Sequence, residues 1–423
     1  MSDLLDLLGA RGFVQDATPG LAERLRERPI TAYAGFDPTS DSLHVGNLVP
    51  VMGLAWLQRE GHTPIALVGG GTGMVGDPSG KRAERPAMDL EQIDRNAQRI
   101  GRQLSRFLSF EGANAARLRN NADWLRDIRL MDFLRDTGKH FNVGYMLQKE
   151  SVSSRMEEGI SYTEFSYMLV QAYDFWHLVR TEECELQLGG SDQWGNITAG
   201  IHLVDKRERR EVHGLVFPLI TTAAGAKFGK SESGNIWLDP EKTSPYHFYQ
   251  FWINADDRDV ERYLKLFTFL RLDRIAATMD EHSRDPGKRL AQKVLAREVT
   301  STVHGEAAAE EAIRTSEALF AGVGGLSVGA TLEVMPAMPT QRVSRIKLPG
   351  GLNVVDLLVA SGLATSKADA RRGIKGGGFY LNGEPIESAD LVIDDAALQG
   401  SAEARYMILR KGKRNYVRLV VEP

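Results

Sequence analysis

Four side chains in this chain could stabilise charge on phosphate oxygens: Thr39 and His44 near one end, and Lys227 and Lys230 near the middle. The lysines stand in Lys227-Phe-Gly-Lys230-Ser231, after an apolar run at 215–220 and among Gly, Ala, Ser and Asn, so the segment reads as a mobile loop. Two cations three residues apart on such a loop can close over a polyphosphate and neutralise charge as it develops. The same composition also describes an ordinary solvated basic loop. No catalytic triad is evident, and donors of these kinds suit alignment and stabilisation of charge.

A strand and a helix must position the first pair. Thr31–Phe36 reads as a short buried strand ending on Asp37-Pro38, and Ser42 is the expected cap of a helix over 43–57. His44, Gly46 and Asn47 then fall on its first turn, where unpaired amides and the helix dipole favour anions. Gly46, lacking a side chain, lets a flat ring such as adenine approach the backbone.

Two further constellations carry polar groups. Tyr167, Gln171 and Asp174 are spaced i, i+4, i+7 and share one helical face. That face either turns outward as a polar stripe or turns inward toward a polar ligand. Gly189-Gly190-Ser191-Asp192-Gln193 follows a short apolar run, which puts Asp192 and Gln193 at the C-terminal end of a strand. Gly71, Gly73 and Gly76 satisfy GxGxxG after another apolar run. A dinucleotide-binding turn would continue into an apolar helix, whereas here Asp77-Pro-Ser-Gly-Lys and a charged run follow. The glycines read as a loop that brings backbone and Asp77 close to a ligand.

The chain has 423 residues, 42% hydrophobic and 26% charged, enough for two or three domains. A single cysteine, Cys184, excludes a disulfide framework and any Cys-rich zinc site. No apolar run approaches ~18 residues and the first residues show no signal-peptide pattern, so a cytoplasmic protein is expected. Net charge is −4, but residues 340–423 carry 13 Lys and Arg against 9 Asp and Glu. A basic tail on an acidic body suits a polyanion partner held at one end. Apolar strands alternating with helices from 31 to about 217 argue for a parallel sheet covered on both faces.

The expected organisation is a Rossmann-like α/β domain at 1–220 with a helical insertion at about 121–185 and the lysine loop at 221–243. An all-helical domain follows at 244–320, with Tyr246, Phe248, Tyr249, Phe251 and Trp252 as core. A Gly/Pro-rich linker at 321–350 leads to a small α+β domain at 351–423. In that last domain Ser366 opens a helix carrying Arg371, Arg372 and Lys375, and Asn382-Gly383 marks a hairpin.

LHVGN and KFGKS, in this order, look like the HIGH and KMSKS signatures of class I aminoacyl-tRNA synthetases. With YAGFDPTSDSLHVGNL, GGGTGMVGDPSG, YMLVQAYDF and GGSDQWGNI, the whole chain resembles the bacterial tyrosyl-tRNA synthetases. The resemblance implies activation of L-tyrosine by ATP with Mg2+, no tightly held metal, transfer to tRNA(Tyr), and a homodimer with 121–160 as its surface. It implies that Tyr33 and Asp174 contact the phenol, and that Asp77, Tyr167 and Gln171 hold the amino group. Asp37, Thr39, His44, Gly46, Asn47, Gly190, Asp192 and Gln193 then surround ATP or the adenylate, and Lys227, Lys230 and Ser231 gather the pyrophosphate. The tail, with Arg371, Arg372 and Lys375, resembles the alpha-L RNA-binding domain that grips tRNA. Two positions depart from the signatures: Asn47 replaces the second His, donating at any pH but never charged, and Phe228 replaces Met. On the residue reading Asp174 is expected to be buried and ionised. A tryptophan-activating relative would have no use for Tyr33 and Asp174 aimed at a hydroxyl. A non-catalytic RNA-binding derivative would be free to lose His44 and Lys230.

Overall fold

The computed structural model describes residues 4–79, 89–153, 156, 159–226, 228–231, 234–321, 340–344, 352–394, 397–401, 404–412 and 415–422. By packing the chain divides into two units, one of Met1–Thr243 with Phe251–Val303, the other of Ser244–Gln250 with His304–Pro423.

The first unit is built on a six-stranded sheet. Its strands are β1 (Asp16–Ala17), β2 (Thr31–Phe36), β3 (Thr63–Val68), β4 (Arg117–Asn120), β5 (Cys184–Gly190) and β6 (His213–Phe217), in the order β1-β6-β5-β2-β3-β4. All neighbours are parallel except β1, which pairs antiparallel with β6. β2, β3, β5 and β6 are nearly continuous buried runs, as strands covered on both faces must be. β4, sequence RLRN, went unread because it is a half-exposed edge strand whose arginines pair with Glu182.

Helix Leu48–Arg59 is buried almost all round. Gly53 lets it lie against the sheet, because a Cβ there would come within 2.4 Å of the Phe217 ring. Between β4 and β5 the expected insertion is helical, closing with the long helix Tyr162–Glu182. That helix and Trp194–Glu208 cover β5, and Gly200 admits the Phe175 ring between them. Helices Asp257–Phe267, Leu272–Arg284 and Leu290–His304 follow.

In the second unit, helices Val354–Ala360 and Lys367–Lys375 pack their apolar faces on strands Phe379–Leu381 and Ala404–Lys411 around Phe379 and Leu409. Ser366 caps its helix, accepting from Asp369 N at 3.2 Å. Asn382 and Gly383 both take positive φ, 51° and 97°, giving the tight hairpin their sequence asks for. Tyr246, Phe248 and Tyr249 are buried in this unit, and Trp252 in the first, while Phe251 is only half-buried. Of the linker expected at 321–350, all but 321 and 340–344 lies outside the described residues.

Candidate active site

The chain leaves β2 toward β3 on one side and returns through β5 on the other. Strand order therefore reverses between β2 and β5, and the C-terminal ends of these strands splay around a crevice. A cavity of about 480 Å³ opens there, floored by Gly35, Gly69, Gly189 and Gly190.

One end of the cavity is deep and polar. Tyr33 is 1% exposed, and its hydroxyl is buried without a hydrogen-bond partner. Asp174, from helix Tyr162–Glu182, is equally buried and accepts from Asn121 Nδ2 at one oxygen and Trp124 Nε1 at the other, both at 2.8 Å. Burial lifts its carboxyl to about 7; the two donors pull the other way and Asp37 adds a further push upward. The burial expected of Asp174 is seen, and it makes the charge costly, so that an added donor would favour the ionised form. Burial, with Asp174 next, also raises the Tyr33 hydroxyl well above its usual range, so it stays a neutral donor.

From Asp174 a chain of hydrogen bonds crosses the floor. Asn121 Nδ2 donates to Thr72 Oγ1 at 3.0 Å, and Thr72 Oγ1 to Asp37 Oδ1 at 2.8 Å. The Tyr167 hydroxyl donates to Asp37 Oδ2 at 3.2 Å. The glycine-rich turn that carries Thr72 is fastened by Asn120, which accepts from Gly70 N, and Asn121, which accepts from Gly71 N. Asp77 follows the turn and meets Gln193, whose Nε2 donates to Asp77 Oδ2 at 2.7 Å. Gln171 Nε2 donates to Gln193 Oε1 at 3.3 Å. Tyr167, Gln171 and Asp174 all line the cavity, so their shared face is inward and the outward stripe is excluded.

At the open end the first signature folds differently from expectation. Ser42 Oγ donates to Leu43 O instead of capping. The helix begins at Leu48, preceded by a single 3-10 turn at Val45–Asn47. His44 Nδ1 accepts from Gly46 N at 3.0 Å, and Asn47 Oδ1 accepts from His44 N at 3.0 Å. Val45 N donates to Ile236 O and Asn47 N to His44 O. The amides of Val45, Gly46 and Asn47 are thus already paired, and His44, Asn47 and Pro50 line the cavity. Thr39, exposed, lines it too, as do Gly190, Asn235 and Trp237, whose ring lies edge-on to His44 at 5.9 Å. Gly46 and Asp192 lie outside the cavity lining; Gly46 is exposed beside His44, and Asp192 Oδ1 stands 2.5 Å from where a Cβ on Gly190 would be.

Lys227 falls outside the described residues. Of Lys230 and Ser231 the backbone is described: a two-residue strand paired with Gly234–Asn235. Arg371, Arg372 and Lys375 sit exposed on their helix in the second unit. The sequence reading missed Asn121, Trp124, Thr72, Gln187 and Trp237. Asn120-Asn121 at the end of β4 was the one available signal, since paired amides there can fasten a neighbouring loop.

Comparison with known proteins adds independent findings. The sequence profile of tRNA synthetases class I (W and Y) matches residues 25–321. That of the tyrosine–tRNA ligase SYY-like C-terminal domain matches 333–419. A tyrosine–tRNA ligase of Anaeromyxobacter dehalogenans is 60% identical over 418 residues, 98% of this chain and 99% of the relative. One of Roseiflexus castenholzii is 52% identical over 427 residues, 99% of this chain and all of the relative. A C-terminally truncated mitochondrial tyrosyl-tRNA synthetase of Coccidioides posadasii superimposes with a TM-score of 0.66 at 34% identity, covering 74% of this chain and 91% of that one.

Proposed function

The chain belongs to the class I tRNA synthetases (W and Y), and we propose that it activates L-tyrosine with ATP, releasing pyrophosphate, and then transfers the tyrosyl group to the 3′-terminal adenosine of tRNA(Tyr). The observation that carries this reading is the pairing of Tyr33 and Asp174 at the closed end of the cavity. An unpartnered buried hydroxyl beside a buried carboxyl is costly unless a polar ligand group completes it, and a phenol hydroxyl does so by donating to Asp174 and pairing with Tyr33. An indole has no hydroxyl to offer there.

With the phenol at that end, the ammonium group lies toward Asp77, Tyr167 and Gln171. Asp77 supplies charge; Gln193 and the Ser79 amide, which donates to Asp77 Oδ1 at 2.9 Å, hold that carboxylate in place. The substrate carboxylate is already ionised at neutral pH, so it needs no base to attack the α-phosphate. The residues contribute alignment and donors. Thr39, His44 and Asn47 face the phosphates and ribose, while Asp37, Gly46, Gly190, Asp192 and Gln193 frame the nucleoside. Lys227, Lys230 and Ser231 stabilise charge on the departing pyrophosphate. In this reading Mg2+ arrives on the triphosphate, whose oxygens it bridges. In the tail, Arg371, Arg372 and Lys375 contact tRNA phosphates.

Two copies act together in this reading. Leu130, Met131, Val143 and Tyr162 are 58–74% exposed on the insertion. Beside them Met74, Leu125, Ile128 and Phe133 line an apolar hollow of about 410 Å³. Apolar surface of that extent suits a second copy of the chain, and sedimentation checks it. Among the described residues no helix is long and apolar enough to cross a membrane. ATP–pyrophosphate exchange with each of the twenty amino acids tests the function. Exchange with tyrosine alone is expected; exchange with tryptophan, or none at all, overturns it.

A further inference from the structure

A loop built of Lys, Gly, Ser and Asn has little reason to bury anything, yet Phe228, in the middle of the second signature, is 5% exposed. Its ring lies 5.0 Å from Tyr263, 5.7 Å from Phe251 and 5.8 Å from Trp252, and stacks on Phe267 at 5.2 Å with the planes 6° apart. Tyr263 and Phe267 belong to helix Asp257–Phe267. The same helix holds the loop a second time, through Asp259 Oδ2, which accepts from Ala223 N at 2.8 Å.

The far side of the turn is fixed as well. Ile236 N donates to Gly229 O, Val45 N to Ile236 O, and Leu238 N to Leu43 O. Gly229, at φ 82°, lies so close to Val45 that a Cβ would meet its side chain at 2.8 Å. The backbone of Lys230 is therefore held between an aromatic box before it and the first signature after it.

We propose that Phe228 is a positioning residue for Lys230: its ring, locked in the box of Phe251, Trp252, Tyr263 and Phe267, fixes the backbone from which the lysine reaches the phosphates. The inference rests on the proposed amino-acid activation. A cation that acts on developing charge works only where it is held, and displacement by an ångström costs about a hundredfold in rate. A tightly packed aromatic is a stiffer anchor than hydrogen bonds of a glycine-rich turn alone.

The test is pre-steady-state adenylate formation by the full chain carrying Phe228→Ala, Phe228→Leu, Lys230→Ala, and each Phe228 change combined with Lys230→Ala. Phe228→Ala is expected to slow adenylate formation about tenfold or more while tyrosine affinity stays near the parent's. Phe228→Leu, which refills most of the box, should recover much of that loss. In the Lys230→Ala background neither change should slow the reaction further, because Phe228 acts through the lysine. If Phe228→Ala does not fold, the same cycle is read with Phe228→Val, which still leaves much of the box empty. A parent-like rate for the variant that empties the box, or a loss that multiplies with that of Lys230→Ala, overturns the proposal. Parent protein that shows no tyrosine-dependent exchange overturns the functional reading instead, so the two failures are distinct.

Discussion

Trp124→Phe isolates the electrostatics of the phenol site. The indole Nε1 donates to Asp174 Oδ1 at 2.8 Å, and its ring stacks on His177 at 4.3 Å. Phenylalanine keeps an aromatic surface for His177 and removes only the donor. Asp174 stands at about 7 because two hydrogen bonds resist the effect of burial. A hydrogen bond to a charged group is worth about 1.5–3 kcal/mol, so losing one should raise the carboxyl by about one to two pH units. Tyrosine binding by phenol donation needs the ionised form. At pH 7.5 the parent is about three-quarters ionised, and a variant at about 8.5 would be about one-tenth ionised. The kcat/KM for tyrosine in pyrophosphate exchange should therefore fall about eightfold at pH 7.5 and recover toward pH 9.5. The assay is the pH profile from 6 to 9.5 for both proteins. The parent's rising limb should lie near pH 7 and the variant's at higher pH. Profiles of the same shape, with the variant lower by a constant factor, would refute the argument and make Trp124 a packing residue only.

Lys230→Ala should reduce the rate of adenylate formation far more than it weakens ATP binding, since its charge is needed where charge develops; pre-steady-state kinetics separates the two. Cutting the chain within 321–350 should leave tyrosine activation intact and lower tRNA charging, with a shallower salt dependence as phosphate contacts are lost. Gly53→Ala places a Cβ 2.4 Å from the Phe217 ring; such overpacking costs about 1–3 kcal/mol and should appear as a lower Tm.

The sequence told most where side-chain type and period agree. β2, β3, β5 and β6 were legible as apolar runs, and the spacing of Tyr167, Gln171 and Asp174 placed them on one face, with burial deciding which way it turned. Capping was less legible. The stretch 37–47 offers several cap-forming side chains, and only the backbone path shows that His44 and Asn47 close the turn while Ser42 bonds its neighbour's carbonyl. Asn121 and Trp124 were hidden for another reason. They meet Asp174 across 53 and 50 residues of chain, and no local pattern encodes a contact of that range. Phe228 read only as a replacement for Met because loop composition conceals the aromatic box, whose members lie 23 to 39 positions further on.

The central claim is that Tyr33 and Asp174 read the substrate hydroxyl, and its most direct test is the ratio of kcat/KM for tyrosine over phenylalanine in pyrophosphate exchange. Phenylalanine leaves both groups buried without that partner, at about 1–3 kcal/mol for each. Tyr33→Phe, which removes one of them, should narrow the ratio by about tenfold, and Asp174→Asn should damage tyrosine activation itself. Parent-like discrimination in both variants would contradict the account, because the phenol would then be recognised by groups other than these two.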